Sequence, residues 1–132
     1  MEFQDVDILF SSDDGSVRDD DEAVIWVKHL IEASNKIKRE PSPGPKLEQW
    51  IKDAGFVNVV HRKFRMPINS WPKDPYMKKL GIWNAANVID GAEGFSLRLM
   101  CEVLGWSVEE VQVFLAGVRK RVVSQDWHGY YW

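Results

Sequence analysis

The sequence contains a single cysteine, Cys101. One cysteine cannot form an internal disulfide, and such sparse use is typical of proteins in a reducing compartment, so a cytoplasmic location is expected. Cys101 lies in the apolar run Leu97 to Leu104, and its charged neighbour is Glu102. Because a reactive thiolate needs a basic neighbour, Cys101 is predicted to be a packing residue and not a nucleophile.

Long apolar runs and an excess of basic residues are also absent. No apolar run reaches the roughly 18 residues that a membrane-spanning helix needs. Residues 1–5 carry neither the basic nor the apolar region of a signal peptide. The formal net charge is −3, whereas binding to nucleic acid phosphates requires a cationic surface. The sequence therefore predicts neither a membrane nor a nucleic acid as a partner.

Motifs that bind phosphate groups or metals are missing as well. The glycines of Gly91-Ala-Glu-Gly94 lie between helical runs and lack the strand-turn-helix setting of a phosphate loop. The three histidines, His29, His61 and His128, are far apart in sequence, so no metal site is predicted. No G-x-S-x-G nucleophile motif is present.

Aromatic residues, in contrast, are abundant. Seven Trp, six Phe and three Tyr occur in 132 residues, which is the size of one domain. This density predicts a large core, an aromatic-lined pocket or a subunit interface. His128 lies among these aromatics, two residues after Asp126, in a combination that is typical of acid/base sites. His128 is interpreted either as such a group or as a structural residue in an aromatic cluster.

The spacing of apolar residues predicts one domain, residues 1–132, with the order β-α-α-β-α-α-α-β. Proline-rich residues 39–45 must separate the first two helices, because alternate prolines cannot remain helical. Ser107 and Glu110 match the capping box of a final helix. Strands are predicted at 2–10, 56–66 and 126–132, and helices at 22–38, at 45–54 and in three pieces within 74–124.

Several short motifs together resemble one protein family. They are Ala54-Gly55-Phe56, Trp71-Pro72-Lys73-Asp74, Leu80-Gly81, Glu93-Gly94-Phe95-Ser96-Leu97, Leu104-Gly105-Trp106-Ser107 and His128. Taken together they resemble the C-terminal half of fungal class I S-adenosylmethionine-dependent methyltransferases. These are the secondary-metabolism enzymes and regulators related to the velvet-complex methyltransferase. The resemblance covers nearly the whole chain.

The resemblance implies an α+β remnant of an α/β methyltransferase fold, with a small mixed three-stranded sheet and about five helices. It places residue 1 at the family's fifth strand, after the half that holds the methyl donor, so no cofactor is expected. The fifth strand then lacks one neighbour, and its edge, Glu2 to Phe10, would be open. We expect a second copy of the chain, or a methyltransferase-like subunit, to cover this edge or the exposed sheet face.

Three functions follow from this resemblance. The leading hypothesis is a cofactor-independent cyclase or isomerase of natural-product biosynthesis, acting on a hydrophobic polyketide- or terpenoid-like intermediate in a dimeric aromatic pocket. The alternatives are a non-catalytic partner of a full-length methyltransferase and a fragment of a true methyltransferase. The predicted catalytic residues are His128, Asp126 and Glu93. The predicted substrate-binding residues are Trp71, Tyr76, Trp83, Asn84, Asn87, Phe95 and Trp127.

Overall fold

The computed structural model describes residues 1–132 and contains four α-helices and a two-stranded sheet. A 3-10 turn, Gly44–Lys46, precedes the second helix, and a π-helical turn, Arg98–Val103, follows the third. The helices are α1, Glu22–Lys36; α2, Leu47–Asp53; α3, Pro75–Leu97; and α4, Val108–Val122. The strands are β1, Met66–Pro67, and β2, Tyr130–Tyr131, and they pair antiparallel.

The core lies where α1, α3, α4 and the π-helical turn meet. On α4, Val111, Leu115, Val118 and Val122 recur at the helical period and are fully buried. On α1, Trp26 is buried and its indole N–H donates to the hydroxyl of Ser96 at 2.7 Å. Burial of these apolar side chains against one another holds the three long helices together.

Local capping signals set where α3 and α4 begin. Asp74 precedes Pro75, the first residue of α3, and its carboxylate accepts from the N–H of Met77 at 2.9 Å. The predicted capping box of α4 is present: the Ser107 hydroxyl accepts from the N–H of Glu110, and the Glu110 carboxylate accepts from the N–H of Ser107. The α1 helix ends at Lys36, two residues before the predicted end.

The helical region after residue 74 contains fewer helices than predicted. Residues Pro75 to Leu97 form one continuous helix, and the expected break near Gly91 does not occur. An added Cβ at Gly91 would lie 2.6 Å from the ring of Phe95, which covers this glycine one turn later. A helix tolerates such a glycine at a cost of about 1 kcal/mol relative to alanine, and tertiary packing offsets that cost.

The predicted three-stranded sheet is not confirmed. Residues 7–11 lie beside 130–132 but make only an isolated bridge, Ser11 with Tyr130, and a hydrogen bond from the Asp7 N–H to the Trp132 carbonyl at 2.6 Å. Of the predicted strand 56–66, only Met66 is in β1. Because strands form through pairing and packing, residues 56–65 stay irregular without a neighbouring strand in this chain.

The edge of residues 2–10 is also less open than expected. The carbonyl of Val6 accepts from the N–H of Gly44 at 3.2 Å, and the N–H of Ile8 donates to the Ser42 hydroxyl at 3.1 Å. The proline-rich link therefore covers part of this edge, and dimerisation through it stays a prediction. None of the helices has the length and apolar character required for membrane crossing.

Candidate functional site

His128 lies where the loop of residues 11–16 meets the chain that follows α4. Its Nδ1 atom is 2.5 Å from a carboxylate oxygen of Asp14, and its backbone N–H donates to the Ser16 hydroxyl at 2.9 Å. Its ring lies 5.5 Å from that of Trp71, with 35° between the ring planes. Two of the predicted site residues, His128 and Trp71, are thus brought together.

The carboxylate partner of His128 is Asp14 and not the predicted Asp126. Hydrogen bonds from the hydroxyl and backbone N–H of Ser16, together with one from His128, hold the pKa of Asp14 well below its usual range. Sequence reasoning missed Asp14 because 114 positions separate it from His128. The only sequence signal for Asp14 is that it lies in the turn sequence Ser11-Ser-Asp-Asp-Gly-Ser16. Aspartate is common in turns because its carboxylate binds nearby backbone N–H groups, so this signal does not point to His128.

Asp126 faces a different set of groups. It accepts from the Ser124 hydroxyl and lies 3.2 Å from the guanidinium of Arg121. These contacts, the Ser124 hydrogen bond first and then Arg121, lower the pKa of Asp126. The carboxylate is therefore anchored beside the end of α4, and it makes no hydrogen bond with His128.

A buried ion pair, Asp21 with Arg121, lies next to this site. Asp21 is 4% exposed, and one oxygen accepts from Arg121 Nε at 2.8 Å. The other accepts from the N–H of Arg18 at 2.8 Å and the indole N–H of Trp127 at 3.3 Å. Burial alone would lower the pKa of Arg121, but the hydrogen bonds with Asp21 and Asp126 raise it. The pair fastens the start of α1 to the end of α4.

The remaining predicted residues do not surround one cavity. Trp127 is fully buried in the core, and the side-chain amide of Asn84 donates to the Pro67 carbonyl at 2.9 Å. Asn87 and Glu93 are exposed on α3, and neither side chain makes a hydrogen bond or an ion pair. Phe95 is half exposed. Tyr76 and Trp83 are exposed and, with Lys79 and Leu80, line a shallow depression of about 230 Å³.

No metal site is formed by these residues, and the carboxylates of the 11–16 loop are already paired. No three His, Cys, Asp or Glu side chains converge as metal ligands would. A ribose-binding carboxylate must be free to accept from the sugar hydroxyls. In the loop of residues 11–16, which leads towards α1, Asp13 binds Arg65 at 2.6 Å and Tyr130 at 2.9 Å, while Asp14 binds His128. These two carboxylates are therefore not free to accept from a ribose.

The low pKa of Asp14 predicts an acid-sensitive contribution to stability. Because its folded pKa lies below the unfolded value of about 3.9, this contribution is present above that pH and is lost as the pH falls below it. Urea unfolding between pH 6 and 2 should show a smaller acid-induced loss for Asp14→Asn than for the wild type. Asp90→Asn, at an exposed carboxylate without a partner, is the control. Identical profiles for wild type and Asp14→Asn would contradict the prediction.

Proteins similar to this chain include fungal methyltransferases. The probable methyltransferase tdiE of Emericella nidulans is 37% identical over 131 residues, which cover 99% of this chain and 41% of that protein. The methyltransferase pytC of Aspergillus terreus is 38% identical over 128 residues, covering 97% and 40%. The secondary metabolism regulator LAE1 of Cochliobolus heterostrophus is 25% identical over 131 residues, covering 98% and 43%.

No family model matches the chain, and no solved structure matches it. The chain spans about two fifths of the length of the curated relatives described above. The resemblance predicted from the short sequence motifs is confirmed by these relatives. Over nearly its whole length, this chain is homologous to a segment of the fungal methyltransferases of secondary metabolism.

Proposed function

We propose that this chain serves a methylation step of secondary metabolism as one part of a class I methyltransferase. The S-adenosylmethionine site would be supplied by a further segment or by a separate subunit. The observation that carries the proposal is the segment of residues 56–65, which exposes large apolar side chains and pairs with no strand. The names of the relatives, which are methyltransferases and a regulator of secondary metabolism, support a methyltransferase-related role.

Residues 56–65 have the composition of a strand but no strand beside them. Phe56, Val57, Val60 and Phe64 are exposed, Val60 to 75% and Phe64 to 69%. Aromatic and β-branched residues are enriched in strands, where neighbouring strands and helices cover them. Four large exposed apolar side chains within nine positions favour a protein interface here. The rest of a methyltransferase sheet would pair with this segment and bury it.

Contacts in the middle and at the C-terminal end of the segment hold it in place, which favours docking. His61 lies 3.1 Å from Glu48 of α2. Arg65 binds Asp13 at 2.6 Å, and its guanidinium lies 4.3 Å from the centre of the Tyr130 ring. These contacts fix the segment against α2 and the small sheet, so part of the ordering entropy of association is already lost.

The cyclase or isomerase hypothesis requires a different arrangement. Its acid/base residues and aromatics would have to surround one cavity, yet Trp127 is in the core and Trp83 is exposed on α3. His128 contacts Asp14, while Glu93 has no partner. A second copy of the chain would have to complete the pocket, so cyclase activity and a homodimer both stay predictions. A non-catalytic partner role would use the same 56–65 segment.

The test compares metabolites of the producing strain with and without the gene. The compound that accumulates should be lighter than the lost product by one methylene unit, because methyl transfer replaces a hydrogen with a methyl group. Two compounds of equal mass would contradict the proposal and indicate an isomerase or cyclase. A general loss of metabolites without such a pair would also contradict it and indicate a regulator.

Two matched variants link this activity to the exposed segment. Returning the gene as Phe64→Lys should fail to restore the product, because a charge would be buried against the missing strands. Ile37→Lys places the same charge on an exposed apolar residue just after α1 and should restore it. Circular dichroism of both variants should be that of the wild type. If Phe64→Lys fully restores the product, the segment of residues 56–65 does not form the proposed interface.

A further inference from the structure

An open groove at the start of α4 has no part in the function proposed above. Its volume is about 670 Å³, and it is open to solvent. The residues that line it are Gly105, Trp106, Glu109, Glu110, Val113 and Phe114. We call it the α4 groove.

The α4 groove is built on a cluster of three rings. Trp106 and Phe114 lie 5.5 Å apart, and His29 of α1 lies 5.2 Å from Trp106 and 5.9 Å from Phe114. Gly105, with a φ of +80°, turns the chain so that the N–H of Trp106 donates to the carbonyl of Met100 at 3.0 Å. The aromatic wall is therefore fixed before any ligand arrives.

One polar group in this wall has no partner in the chain. The indole N–H of Trp106 donates no hydrogen bond within the chain, as is also true of Trp50, Trp83 and Trp132. The carboxylate of Glu109 likewise makes no hydrogen bond or ion pair. Both residues line the groove, and neither of these polar groups is engaged within the chain.

The charge of the α4 groove is negative. Glu109 and Glu110 line it and no lysine or arginine does. The helix N-terminus contributes about half a positive charge, which the two carboxylates exceed. Aromatic faces beside carboxylates are suited to organic cations, because the ring attracts the cation while the carboxylate pairs with it.

We propose that the α4 groove binds an arginine or lysine side chain within a basic peptide segment of another protein. A guanidinium can stack on the Trp106 indole while it pairs with Glu109. The groove is open and not enclosed, and Val113 is 76% exposed in its lining. Apolar neighbours of the basic residue would cover this valine, and a small free cation could not.

Nuclear magnetic resonance titration of the full chain tests the proposal. The probe is an acetylated and amidated heptapeptide of alternating arginine and leucine, and its matched control has glutamate in place of arginine. The basic peptide should shift the Trp106 indole N–H saturably, and the acidic peptide should not. Glu109→Lys should weaken binding about tenfold or more. Asp53→Lys, the same charge change at the exposed end of α2, should leave it within about twofold.

Three results would overturn the assignment. The first is the absence of a saturable shift with the basic peptide, and the second is equal binding by Glu109→Lys and wild type. The third is tetramethylammonium binding as tightly as the basic peptide, which would assign the groove to a small cation. In Glu109→Lys, unchanged resonances of residues outside the groove show that the variant keeps the wild-type fold. None of these outcomes depends on the methylation test.

Discussion

Gly81→Ala is expected to destabilise the protein by about 3 kcal/mol, as measured by urea unfolding. A Cβ at Gly81 would overlap the backbone carbonyl oxygen of Asn69 and lie 3.1 Å from its carbon. The Asn69 backbone cannot retreat easily, because its N–H donates to the Gly81 carbonyl at 2.9 Å and its side-chain amide donates to the Ser124 carbonyl at 2.8 Å. Asn69 also holds a φ of 75°, which few residues adopt.

The same helix provides the control for this substitution. Gly94 of α3 has no atom within 4 Å of the place where a Cβ would lie. Gly94→Ala should therefore stabilise the protein by about 1 kcal/mol, the difference in helix propensity between glycine and alanine. If Gly81→Ala lowers the free energy of unfolding and Gly94→Ala raises it, α3 packs closely against residue 69 at Gly81. A stabilising effect of Gly81→Ala would contradict this packing.

Asp21→Ala is expected to cost about 3 kcal/mol of unfolding free energy, near the lower end of the range for breaking a buried ion pair. The substitution removes the carboxylate that accepts from Arg121, and the Arg121 side chain is only 17% exposed. It also removes the acceptor of the Trp127 indole N–H in the core. Arg121 keeps its contacts with Asp126 and the Ser16 carbonyl, which limits the loss.

Asp20→Ala, one position earlier, is the matched control. Its carboxylate pairs with Arg18 at 3.1 Å, but its side chain is 76% exposed. Solvent screens such a pair, so the variant should stay within about 0.5 kcal/mol of the wild type in the same unfolding experiment. Equal costs for the two variants would mean that the Asp21–Arg121 pair does not hold α1 to α4.

Features that depend on nearby residues could be predicted from the sequence. The start of α4 follows from Ser107 and Glu110, which satisfy each other's backbone donors within one turn. The start of α3 follows from Asp74 and Pro75 in the same way. The prolines of residues 39–45 separate α1 from α2, although Gly44 and Pro45 belong to the 3-10 turn that precedes α2. The family could also be predicted, because short motifs carry it without reference to the fold.

The length of α3 and the sheet could not be predicted in the same way. Whether Gly91 ends a helix depends on whether a ring covers it, and the Phe95 ring does. Whether residues 56–65 form a strand depends on a neighbouring strand, and this chain provides none for them. In both cases the composition is compatible with two structures, and a contact selects one.

The sequence by itself determined the starts of α3 and α4, the break between α1 and α2 and the relationship to fungal methyltransferases, because each rests on residues within a few positions of one another. Only the tertiary structure decided which polar side chains meet. Asp14 pairs with His128 across 114 positions, and Asp21 with Arg121 across 100. Closing such long loops costs conformational entropy that only the burial of the shared core repays, so no local pattern encodes these pairs.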